Sequence, residues 1–267
     1  MKNVLLLVHD DAGQESRFQA ALDITRAIGG HLTCLDVAIY PMFVSDVYAV
    51  TVEAAIFEDE KARETDNREK LEARLAREDV PWTFVDALGN AAQCLEDHAA
   101  LADVIVVSRK LDSEYLPDTL GTASQVAIGS DKLVVAVPEK ARGFDAAGRA
   151  MVAWDGSEEA SHALERSVPP LQLARTVTLV EIADGSAVKP AEEAATYLSR
   201  HGISAVIVRR RAKGQPTAEV LLAEAKGEQA DYIVMGAFGR SRLVEAILGG
   251  VSREMLSESP VPIVMAH

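Results

Sequence analysis

The sequence alternates short apolar runs with longer segments of helical periodicity, and this alternation occurs twice along the chain. The run at residues 4–8 ends at His9-Asp10, and the run at 150–154 ends at Asp155-Gly156. Runs of this length between polar turns are typical of strands that are buried on both faces, as in a parallel sheet. We predict five strands in each half, at residues 4–8, 32–37, 83–85, 103–107, 133–138, 150–154, 177–182, 205–208, 231–235 and 261–265.

Segments of helical periodicity separate these runs. Ser157 is a predicted N-cap, because Glu158 and Glu159 occupy the first turn after it and an apolar stripe follows. Strands that alternate with helices predict a doubly wound α/β fold with a mostly parallel sheet. We therefore predict two tandem α/β domains, at residues 1–140 and 149–267, joined by a polar linker. The first copy is longer, and we expect the excess in an aromatic-bearing segment at residues 40–57.

Composition and charge restrict the partners of the chain. The formal net charge is −14, which argues against a general affinity for nucleic acid or anionic lipid. Residues 1–145 hold 14 basic and 26 acidic side chains, and residues 146–267 hold 13 and 15, so an anionic ligand meets less repulsion in the second half. Two cysteines, a short N-terminal apolar run and the lack of a long apolar stretch favour a soluble, cytoplasmic protein without a membrane partner.

A glycine-rich loop follows the fourth strand of the second half. It reads Gly236-Ala237-Phe238-Gly239, then nine residues, then Gly249-Gly250-Val251-Ser252. Glycines there let backbone amides approach a ligand, and a helix that starts after Gly250 favours phosphate. Asp155 ends the first strand, so its carboxylate would face the same crevice and accept hydrogen bonds from a ribose. The alternative is that these glycines serve only the turn and that Asp155 only caps a helix.

Other motifs are absent from the sequence or have simpler explanations. The chain lacks the GxxxxGK[ST] and GxGxxG fingerprints, and its six histidines show no paired metal spacing. We therefore predict no metal site and no catalytic residue. His9 and Asp10 are adjacent in a strand, so they point to opposite faces rather than into one site. The basic run at residues 209–213 is interpreted as a solvated loop after the third strand.

The motifs together resemble the universal stress protein family. The resemblance rests on the Asp155-Gly156-Ser157 turn, the strand at 231–235, the glycine spacing and the closing Val261-Pro262-Ile263-Val264. It covers both halves and is stronger over residues 149–267. It implies an adenine-nucleotide-hydrolase-like fold with a five-stranded parallel sheet of order 3-2-1-4-5 in each domain, and ATP binding in some members but not in others.

The resemblance also implies where a nucleotide would bind. The adenine and ribose would contact Ala153, Trp154, Asp155 and Ile182. The phosphates would contact Met235, Gly236, Gly239, Gly249, Gly250 and Val251, with Ser252 nearby. The sequence departs from the family at two of these positions. Gly250 stands where ATP-binding members have Ser or Thr, and Trp154 replaces a smaller residue, so its ring would stack on the base or fill the pocket.

The first half departs from the glycine pattern. Ser108 and Leu111 stand at the positions of Gly236 and Gly239, although Gly121-Thr122 keeps the terminal glycine and hydroxyl of the family. A branched side chain at Leu111 would block the approach of phosphate, so we expect at most one ATP per chain.

Two functional hypotheses follow from these residues. The first is a stress-response protein that binds ATP, with Mg²⁺ only as its counter-ion, as a switch read by a protein partner. Hydrolysis would be slow or absent, because the loop has no evident base. The second is an interaction scaffold that has lost nucleotide binding. An adenylyl-transferring enzyme is a third reading, but no convergent base, lysine or histidine motif supports it.

Assembly is predicted from the last strand of each half. We expect residues 133–137 and 261–265 to pair antiparallel within one chain, because this satisfies two sheet edges. Two chains would then form a homodimer.

Overall fold

The apolar runs of both halves form the strands of one continuous sheet. In the computed structural model, the described residues are 1–38, 49–111, 121–182, 187–238 and 250–267, with the backbone alone for 49–60. The strands are β1 (Asn3–Val8), β2 (His31–Ala38), β3 (Trp82–Leu88), β4 (Val104–Ser108), β5 (Leu133–Val137), β6 (Arg149–Trp154), β7 (Thr176–Ile182), β8 (Ala205–Arg210), β9 (Tyr232–Gly236) and β10 (Ile263–Ala266). The predicted strands are confirmed, with small shifts at their ends.

The order of the strands is the same in both halves. Across the sheet it reads β3-β2-β1-β4-β5-β10-β9-β6-β7-β8, which is 3-2-1-4-5 followed by its reverse. All pairs within a half are parallel, and the predicted doubly wound fold is therefore confirmed.

Among the described strands, one antiparallel pair joins the two halves. Val135 of β5 lies opposite Val264 of β10, with Ala136 opposite Ile263 and Val134 opposite Met265. The predicted pairing within one chain is confirmed, and it removes two apolar edges that would otherwise be open to aggregation. Association of two chains into a homodimer stays a prediction.

Helices cover both faces of the sheet. They are α1 (Gln14–Ile28), α2 (Ala49–Leu75), α3 (Ala91–His98), α4 (Thr122–Gly129), α5 (Glu158–Arg166), α6 (Val168–Leu171), α7 (Ala191–Arg200), α8 (Thr217–Gly227) and α9 (Val251–Glu258). Apolar side chains of α1, α2, α5 and α7 pack on one face, and those of α3, α4, α8 and α9 pack on the other. Among the described helices, none has the length and apolarity that crossing a membrane requires.

Local sequence signals explain where several helices begin and end. The hydroxyl of Ser157 accepts a hydrogen bond from the Ala160 amide, which confirms the predicted N-cap of α5. Helix α1 ends at Gly29, whose φ of 54° is the left-handed conformation that glycine adopts most readily.

The extra length of the first half lies largely in one helix. Helix α2 has 27 residues, whereas its counterpart α7 has 10. The predicted excess segment, 40–57, overlaps the start of α2, and its first part, residues 40–48, lies outside the described residues.

Candidate functional site

The candidate site of the second half lies at the carboxyl ends of two neighbouring strands. Strands β6 and β9 pair directly, with Val152 opposite Val234. Asp155 follows β6, and Gly236 is the last residue of β9. Asp155 and Gly236 therefore end neighbouring strands, as a shared crevice requires. Ligands of open α/β sheets bind at such strand ends.

Asp155 forms the turn between β6 and α5. Its side chain is exposed, and its Oδ1 accepts a hydrogen bond from the Ser157 amide at 3.0 Å. Its carbonyl accepts the Val188 amide at 2.7 Å. Gly156 has a φ of 75°, and a Cβ there would overlap the backbone of Lys189. The turn therefore uses one oxygen of Asp155 and leaves the side chain accessible to a ligand.

An apolar surface lies beside this turn. Ala153, Ile182, Met235 and Val251 pack on the same face of the sheet, with Ala153 and Val251 partly exposed. An adenine ring needs such a surface, because its faces are apolar and its edges form hydrogen bonds.

Trp154 does not contribute its ring to this surface. The side chain is 5% exposed and packs on the opposite face of the sheet, and its Nε1 donates to the Lys189 carbonyl at 3.0 Å. The expectation that the ring stacks on a base or fills the pocket is wrong, because neighbouring residues of a strand point to opposite faces.

Gly236 is needed for packing between strand and helix. A Cβ at this position would lie 2.6 Å from the Ala160 amide nitrogen and 2.7 Å from the Glu159 carbonyl carbon. Real Cβ atoms do not approach backbone this closely, so even alanine would displace α5 from β9. The absence of a side chain at Gly236 is thus explained by the fold alone.

A hydrogen bond connects the described ends of the glycine loop. The Phe238 amide donates to the Ser252 hydroxyl at 3.1 Å, which connects the segment after β9 to the first turn of α9. Ser252 is 5% exposed, and its oxygen serves as an acceptor in this bond. Gly250 is the N-cap residue of α9, with φ −58° and ψ 162°, a conformation open to any residue. Gly239 and Gly249 lie outside the described residues.

The corresponding strand ends of the first half are occupied by its own side chains. Arg17 of α1 is fully buried, and its guanidinium donates to the carbonyls of Leu7 and His9 at 2.8 and 2.5 Å. It also donates to Asp11 at 2.8 and 2.6 Å and to the Ser108 hydroxyl at 2.6 Å.

This network fills the position where β1 and β4 end. Ser108 is the counterpart of Gly236, and it lies against Gly13, where a Cβ would be 2.5 Å from the Ser108 hydroxyl. Leu111 is 5% exposed, so its side chain is buried beside this region. The prediction that this half has no ATP site stays a prediction, and the buried network supplies a physical reason for it.

His9 forms a second buried contact in the first half. Its Nδ1 lies 2.6 Å from a Glu64 carboxylate oxygen, and the two side chains are 0% and 4% exposed. Burial raises the pKa of Glu64, but His9, the Asp10 amide and Asn67 outweigh it, so the pKa of Glu64 is lowered. Asp10 is exposed and His9 is buried, and both residues follow the end of β1 at Val8 rather than lying inside the strand as predicted.

The basic run at residues 209–213 begins inside a strand. Arg209 and Arg210 are the last residues of β8, where Arg209 pairs with Glu181 and Glu192, and Arg210 pairs with Glu224. The interpretation of the whole run as a solvated loop is therefore wrong for these two arginines.

Comparison with known proteins relates the second half to a known family. The sequence model described as the universal stress protein family matches residues 147–267. A curated universal stress protein of Thermus aquaticus, encoded in the 3′ region of a QAH/OAS sulfhydrylase, is 38% identical over 55 residues. That match spans 21% of this chain and 39% of the length of the relative.

Solved structures extend the likeness to the whole chain. A universal stress protein from Archaeoglobus fulgidus superposes with a TM-score of 0.74 at 15% identity, covering 99% of this chain and 97% of that protein. A putative universal stress protein from Pseudomonas aeruginosa superposes with a TM-score of 0.59 at 16% identity, covering 100% and 93%. At this identity the likeness establishes a shared fold.

Proposed function

Because residues 147–267 belong to the universal stress protein family, we propose that the second half of the chain binds ATP as a conformational switch. The observation that carries this proposal is the pairing of β6 with β9, which brings the Asp155 turn beside the end of the glycine-loop strand. The N-terminus of α9 follows the same loop, and free amides at a helix start favour phosphate.

Each group of residues in this region would contact a different part of the nucleotide. Ala153, Ile182 and Met235 supply the apolar surface for the adenine. The exposed carboxylate of Asp155 accepts hydrogen bonds from the ribose. Backbone amides around Gly250 and Val251, together with Gly239 and Gly249, bind the phosphates.

The charge of the phosphates is compensated without a lysine in the loop. The backbone amides and the dipole of α9 supply part of the positive potential, and Mg²⁺ that accompanies ATP supplies the rest. The lower acidity of residues 146–267 favours an anionic ligand in this half. The described ends of the glycine loop carry no evident general base, so binding rather than hydrolysis is the proposed signal, and a protein partner reads it.

Calorimetric titration of the full chain with Mg·ATP tests this proposal. We expect one ATP per chain, and we expect Asp155→Ala to weaken binding by about 1–3 kcal/mol, the cost of losing a charge-assisted hydrogen bond. Asp10→Ala is the control, because Asp10 is also an exposed aspartate just beyond the first strand of its half, and its carboxylate lies 3.7 Å from Arg63. This variant should bind ATP as the parent does.

Variants at Gly236 are unsuitable for this test. Valine at this position would overlap the backbone of Glu159 and Ala160, so a loss of ATP binding in that variant would not distinguish a blocked phosphate site from a disturbed fold. If the parent binds no ATP at millimolar concentration, or if Asp155→Ala binds as tightly as the parent, the switch is refuted and the interaction scaffold takes its place.

A further inference from the structure

A second cleft lies in the first half, between α2 and the carboxyl ends of β2 and β3. Its volume is about 650 Å³, and it is lined by Asp36, Lys61, Glu64, Arg68, Asp86 and Leu88 among others. Asp36 lies between Leu35 and Val37, whose side chains pack on the opposite face, so the cleft lies on the α2 side of the sheet. It is therefore separate from the strand ends that correspond to the ATP site.

Asp36 is a buried carboxylate without a full set of partners. The residue is 7% exposed, and its Oδ1 is buried without a hydrogen-bond partner. Its neighbour across the sheet is Asp86, a second acid. An unpaired carboxylate oxygen in such a place is costly, because burial removes its hydration without replacing it.

The second half shows how the same position is satisfied when its partners are present. Glu181 of β7 is 8% exposed, and its two oxygens accept the Ala191 amide at 2.8 Å and the Arg209 Nε at 3.0 Å. Arg209 is the cross-strand neighbour of Glu181, as Asp86 is of Asp36. The cross-strand neighbour of the buried acid is therefore an arginine in the second half and an aspartate in the first.

The described residues of the first half supply neither partner to Asp36. Ala191 donates its amide because it is the first residue of α7. Counted back from the helix ends, its counterpart is Asp66, which lies inside the longer helix α2, where backbone amides bond within the helix. Arg68 approaches from α2, but it forms ion pairs with Glu72 at 2.8 Å and with Asp86.

The electrostatics of the cleft favour a positively charged occupant. Five acids line it (Asp36, Glu64, Glu69, Glu72 and Asp86) against two bases, Lys61 and Arg68. Burial first, and then the charges of Glu64 and Asp86, raise the pKa of Asp36 to about 7, while Arg68 and His9 oppose the rise. A bound cation would restore the ionised carboxylate. No three metal-ligating side chains converge among the described residues, which favours an organic cation over a metal ion.

We propose that this cleft is a second binding site, which takes a small organic cation whose guanidinium or primary ammonium group pairs with Asp36 as Arg209 pairs with Glu181. A guanidinium fits best, because its planar N–H groups bond a carboxylate in parallel and the second half already uses one. The site is independent of the proposed nucleotide site.

Calorimetric titration with three probes of one size tests the charge requirement. The probes are n-butylguanidinium, n-butylammonium and the neutral n-butylurea, titrated into the full-length protein at pH 8. We expect the guanidinium to bind, the ammonium to bind more weakly, and the urea not to bind. Binding of the guanidinium should weaken at pH 6, because Asp36 is then protonated.

Two variants and a control identify the site. Asp36→Asn keeps the shape of the side chain and removes its charge, and it should weaken guanidinium binding by about 10- to 100-fold. Asp86→Arg copies the arginine of the second half, and it should abolish binding by supplying the missing cation. Glu193→Gln removes an exposed acid of α7 and should leave binding unchanged.

Three outcomes would overturn the proposal. They are the absence of guanidinium binding to the parent protein, equal binding of n-butylurea, and undiminished binding in both cleft variants. Asp86 is 70% exposed in its side chain, so Asp86→Arg remains informative if Asp36→Asn fails to fold. ATP titration of the same samples keeps the result distinct from the proposed function, since neither variant touches β6 or β9.

Discussion

Replacing Arg17 with methionine removes the guanidinium that joins α1 to the ends of β1 and β4. Methionine has a similar length and is a good helix former, so the substitution preserves the helix and most of the apolar contact. The charge of Asp11, whose side chain is 1% exposed, then lacks its partner. Two carbonyls and the Ser108 hydroxyl lose their donor as well. Breaking a buried ion pair in this way costs about 3–5 kcal/mol in the free energy of unfolding.

Urea unfolding followed by circular dichroism at pH 7 measures this loss. Arg26→Met is the control on the same helix, because Arg26 is 34% exposed and its ion pairs with Glu78 and Asp79 lie at the surface. That variant should lose less than about 1 kcal/mol. Adding Asp11→Asn to Arg17→Met should recover part of the stability, since the uncompensated charge is then removed. A loss below about 1 kcal/mol for Arg17→Met alone would refute the buried network as a stabilising feature.

Three further predictions test other parts of the molecule. Gly250 has a φ of −58°, which serine adopts freely, so Gly250→Ser should add one hydroxyl donor without strain. We expect ATP to bind about 10-fold more tightly in calorimetry, and an unchanged affinity would show that residue 250 does not contact the phosphates. Val135→Cys combined with Val264→Cys should form an intrachain disulfide on oxidation, seen as a monomer of altered electrophoretic mobility, whereas a crosslinked dimer would contradict the pairing of β5 with β10. The pKa of Asp36 is 3.8 in the unfolded chain and about 7 in the folded protein, so the folded parent loses stability as this carboxyl ionises. Asp36→Asn does not ionise, and it should therefore become more stable than the parent as the pH rises from about 4 to 7. The gain should level off above pH 7, reach at most about 4 kcal/mol in urea unfolding, and be absent if Asp36 ionises normally.

The fold follows from the sequence because its strands are buried on both faces. Such strands consist of apolar residues along their whole length, as in residues 104–107 and 133–137, so they are visible without knowledge of their partners. The duplication then predicts which two strands meet at the centre, because only the last strand of each half has an unpaired edge of this apolar kind. The bounds of β8 were harder to predict, since an edge strand tolerates exposed charges and Arg210 reads like a loop residue.

The candidate site was predictable in its position and less so in its side chains. Strand alternation excludes the Trp154 ring from the face that Ala153 occupies, although the ring was expected to stack on the base or fill the pocket. At Gly236 the sequence alone does not distinguish two explanations. A glycine after a strand fits both a ligand and a packing contact, and only the position of Glu159 and Ala160 reveals the packing contact.

The buried charges of the first half depend on tertiary contacts that sequence periodicity does not reveal. Arg17 lies on the apolar stripe of α1 beside Phe18 and Ala21, which marks it as unusual but does not identify Asp11 and Ser108 as its partners. Asp36 likewise lies in an ordinary strand pattern. Its missing partner becomes evident only when its register position is compared with that of Glu181.

The two halves share one fold, but in each half an arginine side chain forms hydrogen bonds at a different pair of strand ends. In the first half, Arg17 occupies the ends of β1 and β4, whereas Asp36 beside β3 keeps an unpaired oxygen. In the second half, Arg209 satisfies Glu181 at the ends of β7 and β8, whereas β6 and β9 end in the exposed Asp155 and the side-chain-free Gly236. An arginine fills one place in each half and leaves the other open. The cation site that we propose lies in the more acidic half, and the nucleotide site that we propose lies in the less acidic half. The two proposed sites therefore differ in the charge of the ligand they would bind, because the position of one arginine in each copy decides which strand ends remain available.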